Sequence, residues 1–297
     1  MQRVRDLGEF GLIRQLAKHI PRAGDDCAVL PGGLLLTCDP VIEGIHFLPN
    51  TPARQVGWKA MARNLSDIAA MAGTPRAAVV SVGLRPETSV HWVRQLYAGL
   101  HACARQFHCE IVGGDTAHVR HEQFIVVTIL GHAAQPILRS GAKPGDHVFV
   151  TGKLGGSFAS GKHLTFTPRL REARQLAPYA HAMLDISDGL ASDLQRLVDA
   201  SRVGFDIIST KIPISAGVAA ALRAARPSST TRLTAARLHH ALTDGEDFEL
   251  LFTVAPRHAG KLRRKFHEIG RVIRRPVILL DGRPLAAHGY DHFAQRR

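Results

Sequence analysis

Along this chain, apolar positions switch repeatedly between a period of two and a period of three to four. That alternation predicts strands interleaved with helices, an α/β or α+β architecture. Ile13, Leu16, Ala17 and Ile20 fall at helical spacing and predict a helix over 9–20. The segment 53–72 is a second helix, with Val56, Ala60, Met61, Leu65, Ile68 and Ala69 on one face, and 89–107 is a third. Strands are expected at 34–36, running into Asp39, and at 78–84. Two more are expected at 110–112, where Gly113-Gly114 ends the strand, and at 124–130, a β-branched run. A boundary near Gln135-Pro136, ahead of the turn formers Lys143-Pro144-Gly145-Asp146, divides the chain into domains 1–135 and 136–297. The second half reads as a strand at 147–150, a glycine-rich turn and a helix near 187–203. Strands at 248–254 and 271–280 flank a basic helix, and 215–240 is a variable helix and loop. No fixed-period repeat is visible.

The 297 residues are ample for a buried core, and 45% hydrophobic with 21% charged residues excludes wholesale disorder. No apolar run reaches the roughly 18–20 residues that span a bilayer. The first twenty residues mix charges into a helical pattern rather than forming a secretion segment, so a cytoplasmic protein with no membrane partner is expected. Cys27, Cys38, Cys103 and Cys109 form no CxxC pair and read as reduced thiols. The net charge is +13, and residues 201–297 alone carry +9, from 17 basic and 8 acidic residues. Such a balance speaks to association with anions rather than to fold, and nucleic acid is not the expected partner.

The acidic residues carry more information. Aspartates stand among small residues at expected element ends: Gly24-Asp25-Asp26, Thr37-Cys38-Asp39, Asn64-Leu65-Ser66-Asp67, Gly113-Gly114-Asp115, Asp185-Ile186-Ser187-Asp188-Gly189 and Gly245-Glu246-Asp247. Any one of these reads as a helix cap or turn. Six together suggest carboxylates gathered on hard divalent cations, for which Mg²⁺ with substrate phosphates is the usual solution. Asp67 is the most telling, because its helix places it beside the apolar Leu65/Ile68 side, where an isolated charge is unfavourable.

Two motifs mislead. Gly156–Lys162 resembles the start of a phosphate-binding Walker loop, but His163 replaces its Ser/Thr, and the preceding strand ends too early, at Val150. His118, His121 and Glu122 do not form HExxH and read as an exposed loop.

GDDCAVL, TCDPVIEGIHF, NLSDIAAMAG, IVGGDT, RSGAKPGD, LDISDGL, GEDFELLFT and GYDHF occur here in one order. That ordered set, across residues 8–293, resembles the thiamine-monophosphate kinase family of the aminoimidazole-ribonucleotide-synthetase-like superfamily. The resemblance implies an N-terminal α/β domain that dimerises through its sheet, a C-terminal α+β domain, and ATP with several Mg²⁺ ions in a cleft. It implies Asp25, Asp39, Asp67, Asp115, Asp185 and Asp188 as Mg²⁺ ligands, with Thr37 and Cys38 beside them, and Asp115, Asp188 and Asp39 central to catalysis. Gly114, Asp115, Arg139, Ser187 and Tyr97 would contact the nucleotide. His46, Glu246 and Tyr290 would hold thiamine monophosphate. The implied reaction is ATP-dependent phosphorylation of thiamine monophosphate to thiamine diphosphate by a cytoplasmic homodimer.

The sequence departs from the family pattern at several points. Cys38 stands in place of a hydroxyl, and a thiol is a poor Mg²⁺ ligand, leaving its main-chain carbonyl for that contact. Pro40 follows the metal-binding Asp39, Asp244 replaces a glycine before Gly-Glu-Asp, and LGGSFASGKHLTF is atypical. The nearest alternative is another ATP-using enzyme of the superfamily. Selenophosphate synthetase is disfavoured by the lack of a reactive cysteine before Gly24, and aminoimidazole-ribonucleotide synthetase by GIHF and GEDF. An alternative of a different class is a non-catalytic nucleotide- or nucleic-acid-binding protein using the basic last third.

Overall fold

The computed structural model describes residues 3–20, 22–225, 230–290 and 292–293. The chain forms two compact units that are not contiguous in sequence: Val29–Pro136 with Gly161–Pro178, and Met1–Ala28 with Ile137–Ser160 and Tyr179–Arg297.

The first unit is built on a five-stranded sheet in the order β1 (Ala28–Leu30), β2 (Leu34–Ile42), β5 (Phe124–His132), β3 (Thr74–Leu84), β4 (Glu110–His118). One face alternates inward with Leu35, Val41, Val80, Val82, Ile125, Val127 and Ile129, all essentially buried. Helix α2 (Ala53–Ala70) packs on this sheet and helix α3 (Val90–Gln106) packs on α2. The apolar face expected for α2 is the buried one: Val56, Ala60, Met61, Leu65, Ile68 and Ala69 are all 0% exposed. Ser89 caps α3 by accepting from Trp92 N at 3.1 Å. The expected stop at Gly113-Gly114 is not there, because β4 pairs in parallel with β3 through both glycines to His118. Asp39 likewise lies inside β2 rather than at its end. The inserted segment 161–178, with α5 (Leu170–Leu176), is tied to α2 by Trp58 Nε1, which donates to Phe166 O at 2.8 Å.

The second unit begins with α1 (Val4–Leu16), bent at Gly8, and carries a seven-stranded sheet. Its order is β12 (Arg283–Pro284), β11 (Ile278–Leu280), β8 (Gly204–Ile207), β10 (His267–Ile273), β6 (His147–Val150), β9 (Leu250–Val254), β7 (Ala180–Asp185). The single strand expected over 271–280 is thus two, β10 and β11, placed on opposite sides of β8. Helix α6 (Leu190–Ser201) buries Leu190, Leu194, Leu197 and Val198 in the core with Val148, Val150, Leu184, Phe205 and Leu251. Short α4 (Ser157–Ser160), α7 (Val218–Ala225), α8 (Thr230–Thr243) and α9 (Pro256–Leu262) complete the unit. Residues 226–229 of the expected variable segment lie outside the described residues. No helix among the described residues is long and apolar enough to cross a membrane.

Helices α2 and α3 touch backbone to backbone. A Cβ on Gly57 would stand 2.0 Å from Leu96 O, and one on Gly99 would stand 1.9 Å from Arg54 O. Gly57→Ala adds about 1 kcal/mol of helix propensity yet must force the helices apart. The expected net result is a loss of about 2 kcal/mol or more, read as a lower urea midpoint. An unchanged midpoint would remove the close contact from the account.

Candidate active site

In the first unit the TCD stretch of β2 meets the RNLSD stretch of α2. The Thr37 hydroxyl donates to Asp67 Oδ2. The Asp39 amide donates to Asn64 Oδ1 at 3.0 Å, and Arg63 Nε lies 3.4 Å from Asp39 Oδ2. Strand alternation turns Cys38 to the other face, where it is exposed. His46 follows in a tight turn and is 5% exposed. Its Nδ1 accepts the Ile42 amide at 3.1 Å, which leaves the ring proton on Nε2.

Gly114 and Asp115 stand on β4, the outermost strand, exposed and away from Asp39. Two strands, β5 and β3, intervene between β2 and β4. Three inter-strand spacings amount to about 14 Å, so Asp39 and Asp115 of one chain are not brought together. A Cβ on Gly114 would meet Val80 O at 1.9 Å. The glycine is therefore needed for strand packing, whatever else its backbone contacts. Tyr97 is half-buried on α3, its ring centroid 6.2 Å from that of His101.

The second unit collects the remaining candidates. Asp25 Oδ1 accepts the Arg139 amide at 2.7 Å, while the Arg139 guanidinium reaches Asp26 with Nη2 at 2.7 Å and Nε at 3.3 Å. Burial pushes the Asp25 carboxyl above the usual range, against the Arg139 amide that lowers it. Burial also opposes the Arg139 charge, but Asp26, Asp193 and Asp185 outweigh it and hold the guanidinium firmly protonated. Asp185 ends β7 and is 4% exposed. Past it, Gly189 (φ +104°) turns the chain into α6. Asp188 pairs with Arg196, and its amide donates to Asp193 Oδ2 at 3.1 Å.

Glu246 and Tyr290 are drawn to this same segment by their main chains. Glu246 N donates to Ser187 O at 2.7 Å and Tyr290 N to Asp188 O at 3.0 Å. Both side chains are half-buried. Four of the expected residues, Ser187, Asp188, Glu246 and Tyr290, thus form one neighbourhood.

The Walker-like turn holds carboxylates rather than offering amides to phosphate. Gly155 N donates to Asp247 Oδ2 at 2.7 Å, Gly156 N to Asp244 Oδ2 at 2.8 Å, and Ser157 Oγ to Glu246 O at 2.7 Å. His118, His121 and Glu122 are exposed.

Asp193 and Arg196 escaped the sequence reading, and Asp26 was named beside Asp25 without a role. Asp193 is fully buried, its Oδ1 has no hydrogen-bond partner, and burial raises its carboxyl well above the ordinary range. The available signal was its position in the first turn of an amphipathic helix, on the same side as Leu190, Leu194 and Leu197, with Arg196 one turn on.

Residues 24–133 match the family model of AIR synthase related protein, N-terminal domain. The chain is 40% identical over 263 residues to the thiamine-monophosphate kinase of Rhodopirellula baltica, covering 84% of this chain and 80% of that one. It is 33% identical over 316 residues to that of Aquifex aeolicus, covering 98% and 100%. The solved structure of AaThiL complexed with AMPPCP and TMP superposes with a TM-score of 0.88 at 32% identity, over 98% of this chain and 99% of that one.

The raised Asp25 carboxyl has a consequence for metal-free protein. A folded pKa above the unfolded value means that ionising Asp25 opposes folding as pH rises through the folded pKa, and has no effect below the unfolded one. Asp25→Asn keeps the acceptor for the Arg139 amide and removes that charge. In the presence of a chelator, the variant is expected to melt at or above wild type at neutral pH, with the gap closing as pH falls through the carboxylate range. A variant that melts lower at neutral pH and recovers in acid would reverse the sign.

Proposed function

The chain belongs to the thiamine-monophosphate kinase family, and from that premise we propose how its residues divide the work of moving the γ-phosphoryl group of ATP onto the phosphate of thiamine monophosphate. ATP is the co-substrate and thiamine diphosphate and ADP are the products. The observation that carries this is the agreement with AaThiL, bound to AMPPCP and TMP, along nearly the whole of both chains.

Mg²⁺ suits the donors present, which are hard oxygens throughout. The burial that raises Asp25 marks negative charge that a cation would stabilise. We assign the ions to Asp25, Asp185 and Asp188 of one unit and to Asp39, Asp67 and Asp115 of the other, with Thr37 orienting Asp67 and Cys38 limited to its carbonyl. Held by these residues, Mg²⁺ would supply the positive charge that offsets the phosphates of both substrates for an in-line transfer.

The chain's own groups hold the two substrates. The Arg139 fork, the Ser187 hydroxyl, the Gly114 main chain and Tyr97 take the nucleotide. Glu246 complements the cationic ring system of thiamine and Tyr290 stacks on it. His46 directs Nε2–H at the acceptor phosphate, whose oxygen is already anionic, so no general base is needed.

We further propose a homodimer whose two copies share the site. Asp39 and Asp115 of one chain are too far apart for one ion with Mg–O distances of about 2.1 Å. Strand β4 is an unpaired edge with Val112 58% exposed, and Val79, Leu34, Leu36 and Leu130 leave an apolar strip on the outer face of the sheet. A second copy covering that strip would bring its Asp115 to the first copy's Asp39. The compartment is the cytoplasm, in keeping with four free cysteines. Cys103 and Cys109 are buried, and burial pushes the Cys109 thiol up to about 11.

Incubation with ATP, Mg²⁺ and thiamine monophosphate should give thiamine diphosphate on chromatography, and free thiamine should give none. Diphosphate formed from free thiamine alone would mean a pyrophosphokinase. Asp115→Asn should abolish turnover with little change in melting temperature. Asp39→Asn and Asp115→Asn chains, each inactive alone, should regain activity when co-expressed, because one of the two shared sites is then wild type. No recovery in isolated mixed dimers would place both residues in one chain's site.

A further inference from the structure

Lys59 on α2 is fully buried, with no exposed surface at all. Its Nζ lies 2.6 Å from the main-chain oxygen of His46 and 2.7 Å from Nδ1 of His163. The His46 carbonyl accepts from Nζ, and donor and acceptor in the contact with His163 Nδ1 follow that ring's tautomer. Core packing gives no reason for a lysine here, since a buried polar group can often be replaced by a hydrophobe of similar volume at no loss. What Lys59 does supply is a fixed point for two stretches far apart in sequence.

One of these is the turn after β2, where His46 N donates to Ile42 O at 2.8 Å and Gly44 N to Phe47 O at 2.8 Å. The other is the inserted segment, whose Phe166 carbonyl is held by the neighbouring Trp58. With the carbonyl of His46 on Lys59 and its Nδ1 on the Ile42 amide, the residue is held at both ends.

We propose that Lys59, braced by His163, is a positioning residue for the acceptor substrate: it fixes the main chain of His46 so that Nε2–H meets the phosphate of thiamine monophosphate. This rests on the role given to His46 above. The atypical LGGSFASGKHLTF stretch then acts on substrate binding through His163 and not through phosphate contacts of its own.

The test is steady-state kinetics of Lys59→Met, His163→Leu and His163→Asn beside His46→Ala, each checked for folding by its melting curve. Lys59→Met and His163→Leu should raise KM for thiamine monophosphate on the order of 10- to 100-fold, with KM for ATP within about twofold of wild type. His163→Asn, which keeps an acceptor near the Nδ1 position, should stay close to wild type. A purely structural lysine would lower the melting temperature and leave KM of the folded enzyme alone. If Lys59→Met does not fold, His163→Leu against His163→Asn decides the matter. Raised KM in His46→Ala with both other losses silent overturns the positioning role alone. Unchanged KM in His46→Ala overturns the substrate role of His46 and this inference with it.

Discussion

Five carboxylates around the DISDGL segment share two guanidinium groups, and the local structure is organised by that imbalance. Asp25, Asp26, Asp185, Asp188 and Asp193 face Arg139 and Arg196. Burial raises Asp25 and Asp193, so the folded chain holds negative charge that water no longer stabilises. It compensates locally with main-chain donors: the Arg139 amide serves Asp25 and the Asp188 amide serves Asp193. The hydrophobic core fixes those donors in place, because Asp185 ends a strand of the central sheet and Asp193 lies on the buried side of α6. Packing energy thus maintains an electrostatic arrangement that would relax if the loops were free.

Helix α2 plays the corresponding part in the other unit. Its apolar side packs on the sheet, Gly57 lets α3 approach to backbone contact, and three of its polar residues hold neighbouring segments. Lys59 holds His46 and His163, Asn64 accepts from Asp39, and Asp67 accepts from Thr37. Asn64 and Asp67, three residues apart, lie on the side that meets β2, and Lys59, five residues before Asn64, reaches the turn that follows β2. One helix therefore converts the rigidity of the core into the relative placement of the carboxylates on β2 and of the turn that carries His46.

How much of this was legible in the sequence follows from which interactions are local. The apolar period of α2 and the β-branched run of β5 are local patterns, and those two elements, with the helix expected over 89–107, are where they were expected. The aspartates stood out because their small-residue contexts recur. Strand β4 was cut short at Gly113-Gly114, since those glycines weaken a strand in isolation, and only the pairing with β3 shows why Gly114 is required. The division of 271–280 into strands on either side of β8 is topology, which no local period encodes. Lys59 drew no notice in the sequence, because its partners are 13 and 104 residues away.

The departure at Asp244 shows how a local change is absorbed. Glu246 (φ +63°) and Phe248 (φ +51°) both occupy the left-handed region, a strained pair flanking the buried Asp247. Such a turn persists only if its surroundings over-determine it. Here Glu246 N and Phe248 N donate to Ser187 O and Ile186 O at 2.7 and 2.8 Å, and Ser157 Oγ donates to Glu246 O. Asp244 adds an acceptor for the Gly156 amide, and its carboxylate is met by His240 Nδ1 at 3.0 Å. A glycine at that position would offer no such acceptor. The atypical glycine-rich turn and the atypical aspartate are thus two halves of one interaction, and together they hold Glu246 in a conformation its own backbone disfavours. Because the strain is offset by hydrogen bonds within the folded chain, the loop is preorganised before any ligand arrives.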